Sequence, residues 1–170
     1  RINDNMARYV GRNLVKRMIN NGINVAESTV IVLGFTFKEN CPDIRNSKVI
    51  DIINELKTWN VNVLVSDPWA DSREVKDTYG ISLYVIDEKN VADALVVAVG
   101  HEEFRDLEPV DLRGLCKIFK DHKTVVYIVT RKPDQIWHKE AIDILEHAKN
   151  KDKVKILLKY NSSLHAKILF

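Results

Sequence analysis

Apolar positions along the chain follow two periods. From Asp4 to Asn21, Met6, Tyr9, Val10, Leu14, Met18 and Ile19 recur at helical spacing, with Arg8, Arg12, Lys16 and Arg17 between them. This predicts an amphipathic helix, and Asn21-Gly22 stops it because Gly accepts the left-handed cap conformation. The pattern then changes. Val30-Ile31-Val32-Leu33 is a continuous apolar run closed by Gly34. A run without alternation suits a strand buried on both faces, as in a parallel sheet. Val49, Ile50, Ile52, Ile53 and Leu56 mark a second helix reaching about Trp59, where Asn60 breaks it. Val61 to Ser66 is a second strand, which Asp67-Pro68 ends because Pro cannot continue a ladder. Strand, helix and strand at this spacing form a βαβ unit with a parallel pair and a right-handed crossover.

Further along, Asp71 to Tyr79 reads as a short polar helix ended by Gly80, and Ile81 to Ile86 as a brief strand. Asp87 caps a turn of helix. Ala94 to Val99 is the most apolar strand, hence central, and it runs into Gly100-His101. Short helices are predicted over Glu102 to Arg105 and Asp111 to Lys117. A strand from Val125 to Val129, a helix from Ile136 to Lys149, a strand from Val154 to Leu158 and a last strand over Leu164 to Phe170 complete the chain. The alternation predicts an α/β fold: a Rossmann-like, doubly wound, mostly parallel sheet preceded by an amphipathic helix.

Composition narrows the function classes. A length of 170 residues suits one well-buried domain with room for an appendage. A net charge of +2 is too small to draw in nucleic acid or a membrane by bulk attraction, so neither is expected as a partner. The cationic first helix is expected to pack on its own domain or on a second subunit. Cys41 and Cys116 are the only cysteines and form no CxxC pair. They give no metal signature and no disulfide framework, and a reducing cytoplasm is the expected location. No apolar run approaches the roughly 20 residues of a membrane helix. The polar start, Arg1-Ile2-Asn3-Asp4, has no signal-peptide core and no initiator Met, so a piece of a longer protein is expected.

The candidate chemistry lies after the first strand. The loop beyond Gly34 carries Lys38 and Arg45, and Asn46 or Ser47 is placed to cap the next helix. Two cations and a helix start therefore converge beyond the carboxyl end of a buried strand, where ligands of open α/β sheets bind. The expectation is a site for a phosphorylated or carboxylated ligand; a loop of merely solvated cations is the bland alternative. The dinucleotide fingerprint G-x-G-x-x-G is absent: after Gly34 come Thr36, Lys38 and Glu39. Side-chain cations would replace the glycine cradle, so a nucleotide held differently from NAD is favoured. Asp67 stands where a ribose-binding acid often sits, and an acid before Pro is also a common turn residue.

The segments RINDNMARYV, VIVLGFTFKENCPDIRNSKVIDIINELK, VLVSDPWAD and ADALVVAVGHEEF together resemble the UDP-glucose/GDP-mannose dehydrogenase family, nearest to its UDP-N-acetylhexosamine branch. The resemblance spans about Arg1 to Lys117. It implies the end of a central dimerisation helix over 1–24 and a UDP-binding Rossmann-like domain over 25–123. A divergent α/β segment follows over 124–170, either a fusion or packed onto the same sheet. It implies a UDP-sugar ligand, with Lys38 reaching the nucleotide sugar and Arg45 orienting the loop or neutralising the pyrophosphate. Phe37 is placed to pack on the ligand, with a core role the alternative. Arg1 and Arg8 lie on the helix that offers an arginine to a neighbouring subunit's substrate, which implies a homodimer. His101, at the site edge, reads as a hydrogen-bonded structural histidine, with a direct catalytic role the alternative. The resemblance also implies NAD-dependent oxidation of a sugar C6 alcohol to a carboxylate for surface polysaccharide precursors. NAD and the nucleophilic cysteine then belong to a part upstream of Arg1, and Cys41 and Cys116 read as structural.

Beyond Lys117 the chain departs from that pattern. YIVTRKPD, HKEAIDILEHAKN and LHAKILF are similar to the start of a phospholipase D-like domain, where the His of H-x-K attacks phosphorus. His165 and Lys167 have that spacing and share a face on a strand. Three readings follow: a UDP-sugar-binding domain, a non-catalytic dimerisation module, and a phosphodiesterase fragment.

Overall fold

A computed structural model of the chain describes residues 2–85, 92–104, 125–128 and 155–157, with side chains described over 6–85 and 92–104. In its sheet β1 (Thr29–Leu33) lies between β2 (Asn62–Ser66) and β3 (Ala94–Val97), and β4 (Val125–Ile128) and β5 (Lys155–Leu157) extend the sheet beyond β3, which makes β3 the middle strand, as its apolar run predicted. The order is β2-β1-β3-β4-β5 and every pairing is parallel. Val32 faces Val65 on one side and Val96 on the other. The continuous apolar run of β1 is explained by this interior place: Val30, Ile31 and Val32 have no exposed surface, so both faces are covered.

α1 (Ile2–Asn20) and α2 (Val49–Lys57) cover one face. Val30, Val32, Val65, Ala94 and Val96 join Val10, Leu14, Met18, Ile52, Ile53 and Leu56 in one continuous core. Complete burial of Leu14, Met18 and Leu56 contributes about 1.5–3 kcal/mol for each side chain. The helices approach closely at Gly11, where a Cβ would stand 2.9 Å from Cγ of Glu55. Arg12 Nε donates to Glu55 Oε1 at 2.8 Å beside that contact. This hydrogen bond outweighs burial and holds the Glu55 carboxyl below the usual carboxylate range. The predicted apolar stripe of α1 is thus used within the domain, except that Tyr9 and Ile19 point outward, 39% and 55% exposed.

α3 (Ser72–Tyr79) forms as its caps dictate. Asp71 accepts from the N–H groups of Arg73 and Glu74, and Gly80 closes the helix in the left-handed region at φ 69°. α2 stops at Lys57, short of Trp59, and Asn60 makes the turn at φ 57°. Of the strand expected over Ile81 to Ile86, the described residues 81–85 make one parallel bridge, Leu83 to Val65, supported by the Tyr84 N–H donating to Val65 O at 2.8 Å, and Ile86 lies outside the described residues. That bridge places the segment after α3 outside β2. The resulting order is the arrangement of a doubly wound dinucleotide-type sheet. The expected elements over Asp87 to Val91, Asp111 to Lys117, Ile136 to Lys149 and Leu164 to Phe170 lie outside the described residues.

Candidate functional site

Strand order reverses direction at β1: the chain moves outward to β2, then returns to β3 on the other side. Such a switch point opens a crevice at the carboxyl ends of the strands. The loops after β1, β2 and β3 meet there. Gly34, at φ +86°, sends its N–H to Ser66 O at 2.8 Å. A Cβ on it would stand 2.5 Å from Val99 O. This glycine serves close packing within the chain, so its place is not open to a pyrophosphate.

Asp67 and His101 tie the three loops together. Asp67 Oδ2 accepts from the N–H groups of Phe35 and Thr36, and Oδ1 from those of Trp69 and Ala70. His101 Nε2 lies 3.0 Å from Asp67 Oδ2 and 3.1 Å from Thr36 Oγ1. Its other nitrogen, Nδ1, accepts the Asn40 N–H at 3.0 Å, so the ring proton sits on Nε2. Burial pushes the Asp67 carboxyl up, but the His101 hydrogen bond and the Phe35 and Thr36 N–H groups prevail and leave it at about 2. Trp69 stacks near the His101 ring at 6.5 Å, and Phe104 meets that ring edge-on at 5.6 Å. Of the two readings of Asp67, the turn residue matches the geometry: its oxygens are taken up by the chain's own donors. His101 is the buried structural histidine the sequence suggested.

The cations lie on the outer part of the β1 loop. Lys38 and Arg45 are both exposed. Arg45 grips Asp43 with a two-pronged ion pair, Nε to Oδ1 and Nη2 to Oδ2, each 2.9 Å. Its N–H also donates to Asp43 Oδ1 at 2.9 Å. These bonds, with a small contribution from the Lys38 charge, bring the Asp43 carboxyl down to about 2, and the hydrogen bond and charge of Asp43 in turn raise the Arg45 guanidinium. Arg45 is therefore tied to a carboxylate that sequence reasoning passed over, while Lys38 acts on it through its charge alone. The signal was local: Asp43 and Arg45 are two apart in a turn that follows Pro42. Phe37 is 46% exposed, and its N–H donates to Asp43 O at 2.7 Å, so it belongs to the loop surface and not to the core.

The helix start after this loop differs in detail from expectation. Asn46 adopts a left-handed turn at φ 59°, and Lys48 occupies the N-cap position without a side-chain bond. Ser47 still accepts the Val49 N–H at 3.3 Å, while its hydroxyl donates to Phe35 O. Tyr79 braces the loop by donating to Ile44 O at 2.8 Å. Arg8 stands elsewhere, exposed on α1, where its charge acts on Glu55. Arg1, Cys116, His165 and Lys167 lie outside the described residues. Cys41 is a half-buried free thiol.

These residues do not fit NAD at the rim. No glycine cradle follows β1, the space at Gly34 is filled by Val99, and the Asp67 carboxylate has its own partners in place of ribose hydroxyls. Among the described residues, no group of three His, Cys, Asp or Glu side chains could hold a metal ion. No described helix is long and apolar enough to cross a membrane.

Comparison with known proteins shows the family and agrees with the fold. The chain is 49% identical over 117 residues to a UDP-N-acetyl-D-glucosamine 6-dehydrogenase of Salmonella typhi, 69% of this chain and 28% of the relative. It is 43% identical over 128 residues to protein CapL of Staphylococcus aureus, 74% of this chain and 30% of the relative. The chain thus spans less than a third of the curated relatives it matches. The fold matches an NDP-N-acetyl-D-galactosaminuronic acid dehydrogenase from Methanosarcina mazei at a TM-score of 0.61 and 21% identity, covering 73% of this chain and 25% of that one. The model of the UDP-binding domain of the UDP-glucose/GDP-mannose dehydrogenase family matches residues 31–131, past the Lys117 limit of the sequence resemblance and into β4, and the chain belongs to that family.

Proposed function

We propose that the chain binds a UDP-sugar at the carboxyl-end rim of β1, with Lys38 the principal contact to the diphosphate. Arg45 is a second cation, held in reserve by Asp43, and Phe37 offers an exposed ring beside them. The observation that carries this reading is the exposure of two cations, Lys38 and Arg45, on the one loop that follows β1, within the stretch the UDP-binding family model covers. We further propose that the domain serves an NAD-dependent 6-dehydrogenase of a UDP-N-acetylhexosamine, which turns the sugar C6 alcohol into a carboxylate for surface polysaccharide precursors in the cytoplasm. NAD then binds a part of the enzyme other than these loops, and the isolated chain binds nucleotide without turnover. Calorimetry with UDP tests the site. Binding by the wild type that weakens in Lys38→Ala supports it; no binding, or binding untouched by that substitution, overturns it.

The outward Tyr9 and Ile19 of α1 favour a second element of the proposal, a homodimer formed through this helix. In it Arg1 or Arg8 would approach the neighbour's ligand. Light scattering on wild type and on Ile19→Glu reads it: a dimer that the substitution dissociates supports the interface, and a wild-type monomer at all concentrations excludes it.

A further inference from the structure

We propose that His101 is a positioning residue for Lys38, its buried imidazole fixing both ends of the Thr36–Asn40 stretch that presents the lysine. The inference rests on Lys38 being the diphosphate contact. His101 has no exposed surface and contributes two opposite functions through one rigid ring. Nδ1 accepts the Asn40 N–H at 3.0 Å, at the far end of the stretch. The Nε2 proton points to Thr36 Oγ1 at 3.1 Å and Asp67 Oδ2 at 3.0 Å, at the near end. Thr36 passes the constraint on: its hydroxyl donates to the Lys38 carbonyl at 3.0 Å. Its N–H is fixed at 3.0 Å to the same Asp67 oxygen that faces the histidine.

Asn40 locks the far end further. It sits in the left-handed region at φ 52°, and its side-chain oxygen accepts the Glu102 N–H at 3.0 Å. The exposed residues Phe37 and Lys38 therefore ride on a short excursion pinned from below at both sides. Ordering such a segment costs conformational entropy. A segment ordered on folding does not levy that cost again when ligand binds. The ring is thus placed to influence affinity while touching no ligand.

Two substitutions separate the two nitrogens. In His101→Gln the amide nitrogen falls near the place of Nε2, so the Asp67 side is retained and the Asn40 anchor lost. In His101→Asn the amide oxygen falls near the place of Nδ1, so the Asn40 anchor is retained. UDP affinity is measured by calorimetry on the 170-residue chain in the Lys38 and Lys38→Ala backgrounds. His101→Gln is expected to weaken UDP about tenfold with Lys38 present and to change nothing once Lys38 is gone, because the effect runs through the lysine. His101→Asn recovers part of the loss. Equal losses in both backgrounds would mean a general structural role and overturn the proposal. Amide exchange without ligand gives a second reading: Asn40 should lose protection in His101→Gln while Asn62, bonded to Ser28 O, keeps its own. Unchanged exchange at Asn40 also overturns the proposal. Wild-type failure to bind UDP would refute the nucleotide site itself, and the Asn40 exchange then decides whether the ring fixes the stretch. If His101→Gln does not fold, Thr36→Val, which removes the hydroxyl link to Lys38, carries the same test in the same two backgrounds.

Discussion

Nε2 of His101 stands 3.0 Å from Oδ2 of Asp67, and neither side chain has exposed surface. The pair sits where the loops after β1, β2 and β3 converge, so its charge state bears on the whole rim. Asp67 has an ordinary value of 3.8 and lies at about 2 in the folded chain. A carboxyl depressed on folding contributes stability that is fully present above the unfolded value and is lost as pH falls through the folded one. The contribution here is about 2 kcal/mol, disappearing between about pH 5 and pH 2. Urea midpoints measured at about pH 6 and about pH 3 should diverge for the wild type. Asp67→Asn should be less stable at the higher pH and show a smaller difference between the two.

Gly34→Ala should destabilise the chain by about 2–4 kcal/mol, since it adds a left-handed non-glycine residue and a clash. The new methyl would meet the backbone and Cβ of Val99, none of which is a flexible side-chain end. Chemical denaturation measures this; a loss below the range would mean that β1 and β3 separate more readily at their ends than their packing indicates.

Lys38→Ala should weaken UDP by about 1.5–3 kcal/mol, the size of a charge-assisted phosphate contact. The wild-type affinity should fall with added salt, and the variant's should fall less steeply, because the lysine is exposed. Titration calorimetry at two salt concentrations reads both effects together.

Asp43→Asn should tighten UDP binding by about threefold to tenfold. The amide keeps an oxygen for the Arg45 N–H, so the turn survives, while the charge that occupies the guanidinium is removed. A weaker complex would show instead that the ion pair shapes the loop for its ligand.

Local patterns made much of the sheet and one edge of the site readable. The unbroken apolar run of β1 signalled burial on both faces, and Asp71 and Gly80 framed α3 because caps act within a turn. Lys38 and Arg45 stood out as charges after a buried strand. The partner of Asp67 did not, since His101 lies 34 residues away and only the fold joins them. Asp43 was closer at hand, but a turn acid next to a cation reads as solvated until its geometry is seen. The segment around Leu83 had strand-like residues yet makes a single bridge among the described residues, because residues alone do not tell how far an outer segment follows its neighbour.

That bridge has a consequence for the chain in concentrated solution. An outermost β-strand with open donors and acceptors invites foreign strands to zip alongside it. Leu83 and Tyr84 cap β2 at Val65, close to its carboxyl end. A stray chain would have to displace this short guard before it could align along the full length of β2, which makes that flank a poor seed for fibrous aggregates.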